Sequence, residues 1–403
     1  MEVYLVGGAV RDRLLGRPVH ERDWVVVGAD PQDLVKLGYL PVGKEFPVFL
    51  HPETHEEYAL ARLERKVAPG YHGFTTQFSS DVTLEQDLKR RDLTINALAQ
   101  SPDGTIIDPF GGQADLAARL LRHVSEAFIE DPVRILRVAR FAARYAPLGF
   151  RVADETRELM RQMCASGEVD ALVAERVWQE TSRALGEPRP DVFFEVLKDC
   201  GALQVIFPEI AALFGVPQPA RWHPEVDTGV HVLLALRVAA EHQTPVPVRF
   251  AVLMHDLGKG VTPRERWPSH HGHGELGVPL INALSDRLKV PSALRDLAIL
   301  TARHHGTMRL VEELTPEAIL KLLETTDAIR RPERFQELLL ACEADAQGRT
   351  GLTDRPYLQR ALWQRARDAA AHVTLTEAER SGLAGPAIAA KLREKRLAAL
   401  AQR

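Results

Sequence analysis

Glu21 and Asp23 stand two residues apart, just ahead of the apolar run Trp24-Val25-Val26-Val27. Side chains two apart on a strand share a face, so this spelling can hold two carboxylates side by side on a rigid element. Nucleotidyl transfer asks for that arrangement, because divalent ions must bind a triphosphate and activate the attacking hydroxyl. Glu57, in the strand-like EEYALAR, is a candidate third carboxylate. The same spelling also reads as two solvated charges flanking Arg22, and the pair taken alone favours that reading. What precedes it changes the balance. YLVGGAVRDRLLG spells a strand, a Gly-Gly turn and a helix that brings Arg11. Gly8 lets the backbone come close to a ligand, and the first N–H groups of the helix together with Arg11 can hold phosphate oxygens.

A second chemistry is spelled by RFAVLMHDLGKG, residues 249 to 260, where an apolar helical run ends in His255 and Asp256 and continues to Gly258 and Lys259. Further histidines follow at 270, 271, 273, 304 and 305, and one precedes at 223. Any one of these reads first as a solvated side chain. His305 is the strongest candidate among them, as a phosphate contact, although Gly306 beside it withholds a second carboxylate.

A third set of polar residues lies between. KRRDLTINALA, residues 89 to 99, supplies Arg90, Arg91, Asp92 and Asn96, and EDPVRILRVARFAARY, residues 130 to 145, supplies Asp131, Arg134, Arg137 and Arg140. Residues three apart on a helix are neighbours, so the latter four form a slowly winding stripe, with Ile135, Leu136, Val138, Ala139 and Phe141 on the buried side. The bland alternative is a surface ladder in which Asp131 pairs with Arg134.

The elements that must position these groups change in kind along the chain. VYLVGG, DWVVVG, PVFLH, EEYALAR and GTIIDPF spell strands within the first hundred or so residues, and from about residue 114 the periodicity is almost wholly helical. The chain has 403 residues, 45% apolar and 26% charged, which suits a soluble protein of several compact units. No run has the length that crosses a membrane, and MEVYLVGG does not open like a secretory signal, so a cytoplasmic location is expected. Three widely spaced cysteines offer neither a zinc nor a disulfide framework. Net charge is −4, yet arginines crowd residues 119 to 151 and basic residues, Arg403 among them, crowd the tail from Lys391, so a local path for nucleic acid remains open.

GGAVRD, the E-R-D pair, RRDLTINALA and EDPVRILRVARF, in this order, resemble the bacterial class II tRNA nucleotidyltransferases, the CCA-adding enzymes, in the variety that carries a C-terminal HD domain. The resemblance covers the entire chain. It implies an α+β fold: a polymerase-β-like nucleotidyltransferase head over 1–117, a helical neck and body over 118–222, a helical HD domain over 223–348 and a helical tail over 349–403. Glu21 and Asp23 then look like Mg²⁺ ligands, and Gly8, Arg11 and Arg91 like nucleotide contacts. Asp131, Arg134, Arg137 and Arg140 look like the base-reading and phosphate-binding stripe. His255 and Asp256 resemble the central pair of HD-domain phosphohydrolases, for which His231 and Asp345 would complete the ligand set. Imidazole and carboxylate ligands without thiolate suit Ni²⁺ or another divalent ion. Lys259 is a further candidate of that site.

The resemblance implies template-independent addition of C, C and A to tRNA from CTP and ATP by a monomer or homodimer, with a second site acting on phosphate esters. The chemistry of the stripe agrees. Cytosine and adenine each present an amino donor beside a ring-nitrogen acceptor, whereas uracil and guanine present a carbonyl beside an N–H. A carboxylate only accepts and a guanidinium only donates, so one Asp beside one Arg matches C and A alone. Two rivals share the motifs: a poly(A) polymerase, and a regulatory nucleotidyltransferase joined to an HD hydrolase that modifies a signalling protein.

Overall fold

Val25 and Val26 are adjacent and both buried, and a strand sends neighbours to opposite faces, so DWVVV can only be the middle of a sheet covered on both sides. The computed structural model, which describes residues 1–42, 48–66, 74–78 and 80–402, has that arrangement. Val25 packs with Val6, Ala61, Val82, Leu88, Ala97 and Ala99 on one face. Val26 packs with Ala29, Leu34, Phe49, Tyr58 and Leu60 on the other. The chain divides into two units, Met1–Ile206 and Phe207–Arg403.

In the first unit, β1 (Glu2–Val6), α1 (Gly8–Leu14), β2 (Asp23–Val27), α2 (Pro31–Lys36), β3 (Leu40–Val42), β4 (Val48–Leu50) and β5 (Glu57–Leu60) follow one another. β6 (Arg62–Lys66) and β7 (Phe74–Phe78) pair as a separate ribbon, then come α3 (Leu84–Lys89), β8 (Ala99–Gln100) and β9 (Ile106–Ile107). The sheet order is β3-β4-β5-β2-β1-β8-β9. β2 runs antiparallel to β1 and parallel to β5, with Asp23 opposite Val6 on one side and Glu57 on the other. After α4 (Gly112–Ala118) the unit becomes helical, with α5 (Val133–Tyr145), α6 (Asp154–Ala165), α7 (Ala174–Gly186), α8 (Pro190–Cys200) and α9 (Ala202–Ile206). One exception to the helical expectation is a short parallel ladder of β10 (Leu120–Leu121) and β11 (Arg151–Val152), which brackets α5.

The second unit has only helices as regular elements among its described residues, beside one isolated antiparallel bridge between Pro217 and Asp227. It comprises α10 (Pro208–Ala211), α11 (Thr228–Glu241), α12 (Val246–Met254), α13 (His273–Leu288), α14 (Ser292–Met308), α15 (Pro316–Thr325), α16 (Pro332–Gln347), α17 (Gln359–Ala371), α18 (Glu377–Arg380) and α19 (Gly385–Ala401). α12 carries Phe250, Ala251, Val252 and Leu253, buried around its whole circumference, and packs against α11, α14 and α16. A helix buried all round ends inside the protein, which is why His255 and Asp256 at its C-terminal end are buried too. No helix among the described residues is long and apolar enough to cross a membrane. The basic tail is partly paired: Lys395 reaches Glu379 at 2.9 Å and Arg396 donates to the Ala370 carbonyl. Arg403 lies outside the described residues.

Candidate functional sites

The first site gathers at the C-terminal end of β1 and the start of β2. Asp23 opens β2, while Glu21 lies ahead of the strand in the preceding loop, so the pair is a strand end plus its approach, not two positions within one strand. Register places Glu57 beside Asp23 on the same face. Burial of Asp23 against its neighbours raises its pKa above the carboxylate value of 3.8; the Arg91 charge opposes this and the Glu21 charge adds to it. Asp23 thus feels the charges of Glu21 and Arg91 at the start of a central strand, with Glu57 as its register partner on β5.

Arg91 is pressed against the Gly-Gly turn. Gly7 has φ +67°, and a Cβ there would lie 2.8 Å from the Arg91 Nη1, so glycine serves both the backbone conformation and the close approach. Arg91 donates to the Asn96 carbonyl at 3.3 Å and to Asp87 at 3.3 Å, and its buried Nε has no hydrogen-bond partner. Arg11 is more buried than a surface phosphate contact: it is 4% exposed, bonds Asp12 and, at 2.5 Å, Asn96 Oδ1, and packs over Phe141 and Tyr145. Its Nη2 lies 3.3 Å from the place a Cβ on Gly8 would occupy, so it backs the turn.

From Arg11 a chain of polar contacts runs into α5. Asn96 donates to Asp92 Oδ1 at 3.0 Å, and Arg137 Nε donates to Asp92 Oδ2 at 2.7 Å. Burial alone would raise Asp92, but the Arg137 charge and the Asn96 and Arg137 hydrogen bonds hold it down at about 2. The Gly-Gly helix, RRDLTIN and the arginine stripe are therefore parts of one site, joined through a buried carboxylate.

The stripe differs from a wet helix face. Arg134 and Arg140 are 8% and 5% exposed. Buried guanidinium groups must be paired, and each is: Arg134 donates to the carbonyls of Ala127 at 2.6 Å and Arg90 at 2.7 Å, and Arg140 to Glu180 at 2.6 Å. Asp131 pairs with Arg176 at 2.7 and 3.1 Å, not with Arg134 as a surface ladder would have it. Arg176 sits on α7, 45 residues away, and nothing in the local spacing signals it.

The second site lies in the second unit, where five helices and a loop converge. His231 comes from α11, His255 and Asp256 from the end of α12, His273 from the first residue of α13, His305 from α14 and Asp345 from α16. The four residues expected to act together do meet: His231 Nε2 is 3.0 Å from Asp345 Oδ1, and His255 Nε2 is 3.1 Å from Asp256 Oδ2 and 3.7 Å from Asp345 Oδ1. Lys259 donates to Asp256 Oδ2 at 2.7 Å and to Gln218 at 2.6 Å. Burial would raise Asp256, but the charges of His255 and Lys259 carry it well below the usual range.

This donor set fits a divalent ion. His255 Nδ1 is 2.6 Å from the Val252 carbonyl, which can only accept, so Nδ1 carries a proton. Burial would lower the His255 pKa, but the two carboxylates that Nε2 faces raise it, and an ion bound at Nε2 would take the place of the proton they favour there. Among the described residues, His255 Nε2 and Asp256 Oδ1 are buried without a hydrogen-bond partner. His231 Nδ1 lies 3.1 Å from Glu225, a carboxylate that would orient a metal-binding imidazole from behind.

His223 joins the cluster beside Glu225, at 3.1 Å. His270 instead ties Thr262 to the Pro217 carbonyl, and His271 is exposed. Gly258 lets α13 approach: a Cβ there would collide with the His273 carbonyl and lie 2.6 Å from the Gly277 nitrogen, backbone that cannot swing aside. Gly258→Ala should therefore destabilise the chain by about 3 kcal/mol and weaken divalent-ion binding, as read by thermal unfolding with and without metal. An unchanged melting temperature would show that α13 is free to move.

Residues 3–122 match the Poly A polymerase head domain, 149–214 the probable RNA and SrmB-binding site of polymerase A, and 228–329 the HD domain. Across 100% of this chain and 98% of the relative, 62% of residues are identical to the multifunctional CCA protein of Thioalkalivibrio sulfidiphilus, and 60% to that of Nitrosococcus oceani with the same coverage. Among solved structures, a CCA-adding enzyme in an apo form is similar with a TM-score of 0.68 at 20% identity, covering 98% of this chain and 88% of that one. A Thermotoga maritima CCA-adding enzyme complexed with tRNA is similar with a TM-score of 0.62 at 19% identity, covering 100% and 87%.

Proposed function

Since the chain belongs to the multifunctional CCA proteins, CCA-adding tRNA nucleotidyltransferases with an HD domain, we propose that it builds and repairs the terminal C-C-A of tRNA from CTP and ATP in the cytoplasm. The observation that supports this reading is the placement of Asp23 opposite Val6 at the Gly-Gly turn, within the field of Arg91 that packs on Gly7, with the turn's Arg11 linked through Asn96 and Asp92 to the α5 stripe. Glu21 and Asp23, with Glu57 beside them, would hold Mg²⁺. Bound there, the ion supplies charge for the triphosphate and acidifies the 3′-hydroxyl of the tRNA.

The chain's own residues do the rest. Arg91, with an unpaired buried Nε, and Gly8, with Arg11 behind it, border the triphosphate. Asp131 and Arg134, with Arg137 and Arg140 below them, read the base and support the nucleotide. Asp131 is partly exposed at the head of α5, and Arg134 would exchange its two carbonyl partners for the edge of C or A. A site built to hydrogen-bond one edge leaves its own groups unpaired against the wrong one. Arg134→Ala should therefore cost about 10³-fold or more in discrimination of CTP and ATP against UTP and GTP. An Arg134→Ala enzyme that keeps its selectivity would remove Arg134 from the reader.

The second site, with His231, His255, Asp256 and Asp345 holding Ni²⁺ or another divalent ion, hydrolyses phosphate esters at RNA ends: 2′,3′-cyclic phosphates, 2′-nucleotides and terminal phosphates. Lys259, which neutralises Asp256, and His305 would flank the phosphate. CCA addition needs a free acceptor hydroxyl, and a hydrolase that restores one belongs on the same chain. The test is to sequence the products after tRNA lacking CCA meets CTP, ATP or both. Two C residues with CTP alone, and a completed CCA with both, are expected. An extended A tract from ATP alone would point to a poly(A) polymerase, and no tRNA-dependent turnover to a signalling nucleotidyltransferase.

A further inference from the structure

Among the described side chains, Trp222 is the one phenylalanine, tyrosine or tryptophan that stands exposed, at 48%. Its neighbour in the chain, His223, is buried. A tight turn sends the two apart: the N–H groups of Trp222 and His223 both donate to the Pro219 carbonyl, at 2.9 and 3.0 Å, in a loop closed by the bridge between Pro217 and Asp227. His223 turns inward, its ring 4.6 Å from that of His231, while the indole faces solvent. The Arg221 guanidinium lies over the indole at 4.8 Å and that of Arg309 at 5.6 Å. Arg309 caps the C-terminal end of α14 in helical conformation, four residues after His305, so the two share a face of the helix about one turn apart. The loop and the helix that meet at Trp222 are thus the two that carry His223 and His305 into the His-Asp cluster.

A surface contact of one arginine with one aromatic ring stabilises a fold by about 0.5–1 kcal/mol and needs no ligand to explain it. Trp222 differs from that case. A whole indole is left in water, two guanidinium groups attend it, and neither of them has a carboxylate or hydrogen-bond partner among the described residues. An exposed π-face beside uncompensated cations is what a nucleotide needs: its base stacks on a ring or a guanidinium plane, and its phosphates accept from the guanidinium N–H groups. We propose that Trp222, Arg221 and Arg309 form a platform for the terminal base of an RNA whose end phosphate lies at the centre of His231, His255, Asp256 and Asp345. A base that stacks on the indole displaces one guanidinium from the ring, and that group turns to the phosphate on the 5′ side of the same nucleotide. Stacking tolerates every base, so the platform selects for RNA ends over small phosphate esters and not for one sequence.

This proposal rests on the reading of the second site as a phosphate-ester hydrolase, and the substrates separate the two. Full-length protein with Ni²⁺ or Mn²⁺, without nucleoside triphosphates so that the head is idle, is given a tetraribonucleotide ending in a 2′,3′-cyclic phosphate or glycerol 1,2-cyclic phosphate, an ester of the same kind without a base. Trp222→Ala should raise KM for the RNA about 10-fold or more while kcat holds, and leave the glycerol ester untouched. Trp222→Phe should keep most of the RNA affinity, and Arg309→Ala should raise KM for the RNA alone. A readout that needs no turnover is photocross-linking, in which RNA ended by 4-thiouridine 2′,3′-cyclic phosphate should attach to the peptide that contains Trp222. An unchanged KM for the RNA in Trp222→Ala, equal losses on both esters, or cross-links that avoid this peptide would overturn the platform and leave the hydrolase standing. If wild type hydrolyses neither ester, the hydrolase reading falls and the platform with it.

Discussion

Asp23→Asn should reduce nucleotide incorporation onto tRNA by about 10³-fold or more, because a carboxylate ligand is lost where the ion supplies several kcal/mol of charge stabilisation. The fold should hardly notice. Asp23 opens β2 where solvent reaches it although neighbouring groups partly desolvate its carboxylate, and asparagine keeps its size, so a stability change within about 0.5 kcal/mol is expected. Hydrolysis of cyclic-phosphate-ended tRNA should continue at its full rate, which distinguishes a lost ligand from a damaged chain. Retained incorporation would remove Asp23 from the metal site.

The environment of Asp23 also sets a direction with pH. Burial and the Glu21 charge raise its pKa above 3.8 although Arg91 opposes them, so the folded protein keeps this proton to a higher pH than an ordinary carboxylate does. A bound ion must displace that proton. On acidification, incorporation should begin to fall above the usual carboxylate range, and a tenfold rise in Mg²⁺ should move the acidic limb down by up to about one pH unit. An acidic limb that ignores Mg²⁺ would mean that Asp23 is not the group in competition.

How much of this was legible in the residues depends on how local each feature is. The five apolar runs read as strands are strands, because a short apolar run and its β-branching are properties of neighbours. The ribbon of Arg62–Lys66 and Phe74–Phe78 was not legible: RLERK has no apolar alternation, and its pairing is made by a partner some ten residues on. The register of Glu57 against Asp23 could be suggested but not read, since it depends on which strands become neighbours. His231, His255, Asp256 and Asp345 were reachable through the HD resemblance. His273 was not, for a histidine between glycines looks solvated until α13 is brought against Asp256, and that approach depends on Gly258. The buried state of Arg134 and Arg140 was hidden for the same reason: the Arg90 carbonyl and the Glu180 carboxylate, both remote in sequence, help make burial of these guanidinium groups tolerable.

Asp256→Asn should abolish phosphate-ester hydrolysis, by about 10³-fold or more, while CCA addition proceeds. One difficulty has to be met, since the carboxylate is fully buried and neutralises Lys259, itself 7% exposed. Removing one charge of a buried pair leaves the other uncompensated, and that alone costs about 3–5 kcal/mol. A dead hydrolase could therefore be a misfolded one. Asp256→Asn combined with Lys259→Met removes both charges, and replacing a buried pair with groups of similar volume is often neutral. The double variant should recover most of the lost thermal stability, and the difference between single and double measures the coupling of the two side chains. Hydrolysis should not return with stability, because asparagine keeps one oxygen but neither the charge nor the second oxygen of a carboxylate that faces His255 on one side and His273 and His305 on the other, and the Lys259 ammonium beside the phosphate is gone as well. If the double variant regains activity, Asp256 is a structural counter-ion for Lys259, and the metal chemistry of this cluster must be built without it.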